Sequence, residues 1–542
     1  MNTFLAKDSR WRHWLVVGFL GGLLGLGLAL VGDFGMTYDA PQSRKIGMIS
    51  LRYAAEKLQP TFLTQPAQQK AFEPYDTPLH WFADRDYGVA YELPVTLAER
   101  LLQLPDPEAQ FGFRHLCTFL VSWVGVLALY GLGKRRYGDW RAGLAVAALL
   151  VLSPRLFGEF FYNDKDAVFM ALSTVATYTA VRFLEKPTWR WAAGHALACA
   201  VAIDVRLMAL LWPLATLALL AWRAGHGDYW AARRGRLLGA LALYASLLPA
   251  LVVLLWPYLW EDPWRNFVQA FANMQHFRWE NTVLYRGELV NTTALPWHYS
   301  IKWLGITTPL LQLGLLVLGL GLVVGQLLRR GWRLYAAGTA EWQDLLFFGL
   351  GVGPVVAVIV FESVLYDGWR QMYFIYPSLL LLALRGLVAV VGWLRGRAAW
   401  QRVAVAGLLG LGALSSVGQI VWMHPFESLY FSVLAGHEVD RRYEQDYWGL
   451  GYSAGLRWVV AHDQRPVIRV CTDSYMWPAL QVNYEVLPPA IRFRLTVVGT
   501  PAEADYCLLN HRWHAEEYDL PNKVQAIRAG NQRIMTIFEV KH

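Results

Sequence analysis

The chain has 542 residues, of which 55% are hydrophobic, 14% aromatic and 17% charged, with a net charge of +8. Soluble domains carry charge on about a quarter of their residues, so this composition and a mean hydropathy of +0.28 exclude an ordinary soluble protein and describe an α-helical polytopic membrane protein. The positive charge is no nucleic-acid footprint: it gathers in short loops such as Lys134-Arg135-Arg136, Arg223 to Arg236, Arg329-Arg330-Arg333 and Arg395 to Arg402, which alternate with acidic or neutral ones, the pattern of loops facing the cytoplasm.

Hydropathy predicts about eleven spans, near 14–32, 113–133, 141–157, 167–184, 190–204, 206–222, 237–259, 308–328, 345–364, 372–394 and 403–423. The first has an apolar core too long for a cleaved signal peptide and lacks a small-x-small site after it. Lys7, Arg10 and Arg12 place the N-terminus in the cytoplasm. An odd number of spans then carries the C-terminus to the periplasmic or extracellular side of the cytoplasmic membrane.

Three external regions are long. The first, 33–112, holds two amphipathic stretches. In Ser43–Leu58 the residues Ile46, Ile49 and Tyr53 recur at helical spacing, and a second stretch runs from Val95 to Leu104. Each reads either as a helix in the plane of the membrane interface or as a loop helix packed on the bundle. The second region, 260–307, is rich in aromatics (Trp260, Trp264, Trp279, Tyr285, Trp297, Tyr299, Trp303), as expected at headgroup level. The third is the tail, which divides the chain into a transmembrane domain over 1–430 and a small α/β domain over 431–542. Within it Val467–Cys471, Phe493–Val498, Tyr506–Leu509 and Ile534–Val540 read as strands, and Ala454–Ala461 and Lys523–Ala529 as helices. Cys471 and Cys507 fall in adjacent strands, either as a disulfide or as two buried thiols.

Ionisable residues beside spans are costly and point to function. Asp39, Arg155, Glu159, Asp164, Lys165, Asp166, Asp204, Arg206, Glu362, Asp367 and Arg370 all sit near span ends on the external side, and the span middles are almost free of charge. Carboxylates of ion-coupled transporters lie nearer the midplane, so a transporter or flippase for a lipid-linked saccharide is the second reading. Asp164 suits a helix cap. Arg206, whose neighbour Asp204 offers a local partner, and Arg370, beside Glu362 and Asp367, can each grip a phosphate through a planar fork. For a sugar carried on polyprenyl phosphate the leaving group is already good. It needs cations where charge develops, supplied by Arg370, Arg206 and Lys165, and a carboxylate such as Asp39 to take the proton of the attacking hydroxyl.

The segments Thr37-Tyr38-Asp39-Ala40-Pro41, Ser153-Pro154-Arg155 with Asn163-Asp164-Lys165-Asp166, Leu295-Pro296-Trp297-His298-Tyr299 with Ile306-Thr307-Thr308-Pro309, and Asp367-Gly368-Trp369-Arg370-Gln371-Met372-Tyr373 follow one another in an order that resembles the GT-C membrane glycosyltransferases, specifically bacterial relatives of the dolichyl-phosphate-mannose protein mannosyltransferases. The resemblance spans roughly residues 30–450. It implies a GT-C-like bundle with interfacial helices in the first external loop and a polyprenyl-phosphate donor of a mannose-like hexose. It also implies an acceptor in the cell envelope (lipid, glycan or protein) and an inverting transfer. It carries the catalytic base onto Asp39, the second catalytic carboxylate, which supports the acceptor or a metal, onto Asp166 with Asp164 as the alternative, and a phosphate ligand onto Arg370. Asp164 and Asp367 are left to support the acceptor or a divalent metal ion. The chain departs from its relatives in having Ala40 where a second carboxylate is common. It also lacks their later His-Pro-Pro segment, for which His80 and Tyr87–Leu93 are the nearest candidates.

Overall fold

The structure, a computed structural model, describes residues 9–224, 234–275, 281–331 and 340–541. Lys7 and Trp279 lie outside them, as do parts of the loops 223–236 and 329–342. Every one of the eleven predicted spans is helical. Among the described residues, eight helices are each long and apolar enough to cross a membrane. They are α1 (Ser9–Leu30), α4 (Pro107–Tyr137), α7 (Asp166–Glu185), α10 (Arg234–Leu255), α12 (Leu310–Arg330), α13 (Trp342–Val360), α14 (Tyr376–Leu394, with the tight helical turn Arg370–Ile375 before it) and α15 (Ala399–Met423). Two more, α8 (Trp189–Val205) and α9 (Leu211–Ala224), are shorter.

The third predicted span is not one straight rod. It breaks into α5 (Trp140–Val151) and α6 (Pro154–Tyr162), bent by 77°. Pro154 drives its predecessor out of helical geometry, and Ser153 sits at φ −95°, ψ 101°. All nine residues of α6 are buried, and it delivers Asn163 to the head of α7. Elsewhere the bundle is tightened by glycine. A Cβ on Gly319 of α12 would fall 1.8 Å from the Leu382 carbonyl oxygen, and one on Gly386 of α14 would fall 2.3 Å from that of Leu315. Without side chains at both points the two backbones can touch.

Between α1 and α4, α2 (Ala40–Leu58) and α3 (Glu92–Leu101) show both amphipathic stretches as helices. Ile46, Ile49 and Tyr53 are buried. Arg44 reaches Glu99 at 2.6 Å, and Arg114 of α4 joins Glu99 at 3.1 Å and Glu92 at 2.7 Å. Two buried carboxylates between two guanidiniums are compensated ions, and they fasten both helices to the bundle. The second region contributes α11 (Pro263–Gln275) and a hairpin of β1 (Thr282–Tyr285) and β2 (Glu288–Asn291).

The tail folds as a mixed five-stranded sheet, in the order β4 (Leu495–Val497), β3 (Ile468–Cys471), β5 (Tyr506–Asn510), β7 (Gln532–Glu539), β6 (Lys523–Ala529), with helices α16 (Gly451–His462) and α17 (Trp477–Glu485). Strand β3 runs parallel to β4 and β5, and β7 is antiparallel to β5 and β6. Lys523–Ala529, expected as a helix, is the edge strand β6. The turn Gly530-Asn531, with Gly530 at φ +55°, reverses the chain as hairpin turns do and lays the segment along β7, so strand pairing overrides a helix-like composition. Cys471 and Cys507 are paired in register on β3 and β5, both buried, with sulfurs 2.7 Å apart.

Candidate active site

Asp39, Asp166, Arg206 and Arg370 meet at one end of the bundle, where α1 ends, α7 begins, α8 ends and the approach to α14 begins. The loop between α1 and α2 is held by the tail. The Tyr38 N–H donates to the Trp448 carbonyl at 2.8 Å, Met36 N–H donates to Asn483 Oδ1 at 2.9 Å, and Asn483 Nδ2 donates back to the Met36 carbonyl at 2.9 Å. Asp39 is the N-cap of α2 but its carboxylate makes no capping hydrogen bond. It stays 28% exposed, 3.8 Å from Arg370 Nη1.

Asp166 is the first residue of α7. Asn163 Oδ1 accepts from the N–H of Asp166 at 2.7 Å and of Lys165 at 3.3 Å, capping that helix in the role the sequence offered to Asp164. The buried Asp166 carboxylate takes Arg206 on one oxygen and Arg370 Nη1, at 3.0 Å, on the other. Arg206 therefore pairs with Asp166 and not with its neighbour Asp204, which accepts the Ala90 N–H at 2.8 Å instead. That contact requires Gly88, where a Cβ would lie 1.6 Å from the Asp204 carbonyl oxygen.

Arg370 is fixed by its own turn. Asp367 and Gly368 both have left-handed backbone, at φ +54° and +73°, which folds the Asp367 carboxylate back onto Arg370 Nε at 3.1 Å and Nη2 at 3.0 Å. The guanidinium also lies 4.6 Å from the Trp448 ring centroid and 4.9 Å from that of Tyr366. On its far side Asp367 binds Arg512, which follows β5 in the α/β domain. Arg512 is itself buried and packed on Trp513 at 4.4 Å and Tyr475 at 5.5 Å. Burial alone would lower its pKa, but the charges of Asp367, Tyr475 and Glu444 outweigh that and raise it. Burial, then Asp367, pushes Glu444 up to about 8.

The result is a line of alternating charge, Arg206–Asp166–Arg370–Asp367–Arg512, with Asp39 beside its middle member. Beneath it Glu159 is fully buried and accepts hydrogen bonds from Tyr373, Tyr447, Trp448 and Asn163 at 2.8 to 3.2 Å. It thereby anchors the tail segment that carries Trp448.

Lys165 and Asp164 stand beside this line. With Tyr87, Glu92 and Arg206 they border a cavity of about 30 Å³, room for about one water. The Lys165 ammonium lies 5.1 Å from the Tyr87 ring. Burial lowers its pKa, but Asp39, Tyr87 and Asp164 overcome this and raise it. Burial first, then the charge of Glu92, pushes Asp164 up to about 8. The residues do not fit a divalent cation. Asp166 and Asp367 are each held by two arginines, and among the described residues no three carboxylate, imidazole or thiol groups gather as a metal site.

A family model described as dolichyl-phosphate-mannose-protein mannosyltransferase matches residues 110–256. No curated protein matches the sequence. Among solved structures the chain is similar to ArnT from Cupriavidus metallidurans in the apo state, with a TM-score of 0.51 and 13% identity over 96% of this chain and 98% of that one. The same protein bound to undecaprenyl phosphate gives 0.47 and 14% over 96% and 98%. Arabinofuranosyltransferase AftD from Mycobacteria gives 0.41 and 13% over 97% of this chain and 40% of that one. The apo ArnT likeness runs nearly end to end and shows that this chain shares the fold of that protein, while residues 110–256 match the family described as dolichyl-phosphate-mannose-protein mannosyltransferase.

Proposed function

We propose that this protein moves one sugar from a polyprenyl-phosphate donor to a hydroxyl acceptor at the outer face of the cytoplasmic membrane, with inversion at the anomeric carbon. The observation that carries the reading is the contrast among three neighbouring aspartates. Asp166 and Asp367 are buried and paired, whereas Asp39 keeps solvent access 3.8 Å from Arg370. A carboxylate left open beside fixed guanidiniums suits a general base working next to a phosphate leaving group. The described donor of the matching family, dolichyl phosphate mannose, is of the same chemical class.

The donor phosphate rests against Arg370 and Arg206, with Lys165 adding positive potential from the side. The acceptor oxygen forms its bond to the anomeric carbon while the bond from that carbon to the phosphate oxygen breaks. The hydroxyl proton passes to Asp39 and the electron pair leaves on the phosphate, where the arginines meet the growing charge. Polyprenyl phosphate and a glycoside are the products. Asp166 and Asp367 hold the arginines in place, and Asp164, protonated near neutral pH, supports the acceptor side. The sugar is mannose-like, and the acceptor is an envelope lipid, glycan or protein hydroxyl.

The test uses purified protein in lipid nanodiscs, a panel of polyprenyl-phosphate sugars and an envelope extract, and measures free polyprenyl phosphate. Release that depends on Asp39 and Arg370 is expected. Transbilayer movement of intact labelled donor without release would replace the transferase by the flippase.

A further inference from the structure

We propose that Arg512, in the α/β domain, is a positioning residue of the donor-phosphate site, acting through Asp367 on Arg370. The inference rests on the phosphate role given to Arg370 above. It deepens that role by making the tail part of the donor site. The argument is one of charge along a line. Three guanidiniums and two carboxylates alternate from Arg206 to Arg512, so the line carries one net positive charge; Asp39 beside Arg370 is offset by the neighbouring Lys165 ammonium, which leaves that surplus for an anion. Asp367 shares its charge between Arg370 and Arg512, both 5% exposed or nearly so.

Without Arg512 the remaining four charges sum to zero. Asp367, 3% exposed, would then have Arg370 as its remaining ion-pair partner within this line. Buried ions without water are compensated by their neighbours, so Arg370 would be drawn toward Asp367 and away from the phosphate. Arg512 is locked in place for this task by Trp513 and Tyr475. Trp513 in turn donates Nε1–H to Glu444 at 3.1 Å.

The experiment measures binding of a short-chain polyprenyl phosphate to the full-length protein in nanodiscs by quenching of tryptophan fluorescence, together with donor KM and kcat. It compares wild type, Arg512→Ala, Arg512→Lys and the double variant Arg512→Ala/Asp367→Asn. Arg512→Ala is expected to weaken binding and raise donor KM by about tenfold or more, and Arg512→Lys by less. The double variant restores the net charge of the line and is expected to recover most of the loss. A tail that merely docks for stability would show the opposite, because the double variant removes more of the contact. Wild-type affinity in a folded Arg512→Ala protein, or a double variant as weak as the single one, overturns the inference and leaves the donor reading standing. A wild-type protein that binds no polyprenyl phosphate overturns both.

Discussion

Replacing Asp39 by Asn separates chemistry from folding. The substitution keeps the shape of the side chain and removes its basicity. Asp39 makes no capping hydrogen bond and is 28% exposed, so the cost in stability is expected to stay below about 1 kcal/mol. For a chain of this size that is a change of a few degrees at most in Tm. The cost in rate is much larger. A positioned general base contributes about 10²- to 10⁴-fold, equivalent to about 3–5 kcal/mol of barrier. Donor affinity moves the other way. At 3.8 Å Asp39 attracts Arg370 by roughly 4 kcal/mol before competing solvation, for an effective dielectric constant near 20. The carboxylate thus competes with the incoming phosphate for that guanidinium. Asp39→Asn is therefore expected to lower kcat by about 10²- to 10⁴-fold while the donor KM stays constant or falls. The assay is steady-state release of polyprenyl phosphate in nanodiscs, with thermal unfolding as the folding control. A correctly folded Asp39→Asn protein whose kcat remains within a few-fold of wild type would refute the base assignment.

Further outcomes concern pH, metal and the loop at Gly88. Burial raises the folded-state pKa of the Asp164 carboxyl to about 8. Its contribution to stability is therefore complete below its unfolded pKa, near 4, and is lost as pH rises toward 8. Asp164→Asn is expected to unfold at a higher temperature than wild type at pH 9 and to lose most of that advantage by pH 5; an unchanged difference across the range contradicts the burial argument. Because arginines hold Asp166 and Asp367, transfer is expected to survive EDTA, and loss of activity restored by added Mg²⁺ or Mn²⁺ would show otherwise. Gly88→Ala would drive a methyl into the Asp204 carbonyl. It should break the Ala90–Asp204 contact and lower Tm by several degrees, an effect visible by differential scanning fluorimetry and absent if the loop simply shifts.

The apolar runs alone placed helical structure in every predicted span, eight of them single helices long and apolar enough to cross a membrane among the described residues, because in a bilayer each span must satisfy its own backbone and so writes its length into the sequence. The junction of α5 and α6 was also written there, as Ser153-Pro154, but a proline reads equally as a kink or an ending, and the 77° bend emerges only from packing. Asp39, Asp166 and Arg370 were legible as charges at span ends, and antiparallel helices gather such ends. Their pairing was not legible. Arg206 had Asp204 two residues away, yet it takes Asp166, because Asp204 is committed to Ala90. Arg512 and Trp448 carried no local mark, since their importance comes from contacts across 145 residues to Asp367 and 78 residues to Arg370. Lys523–Ala529 failed for a related reason: an edge strand with few buried positions has a weak alternation, and its partner strand decides its state.

The hydrogen bonds between Met36 and Asn483 span 447 residues, which has a consequence for the protein's biogenesis. The loop bearing Asp39 leaves the ribosome with the first helix, long before the segments that brace it exist. Until the tail is made, this centre is without Trp448 over Arg370 and the loop is without the tail clasping its backbone. Assembly of the centre is therefore tied to delivery and folding of the final segment. A chain stalled in translation or clipped in its tail would carry every earlier site residue in its correct order and still lack a finished centre.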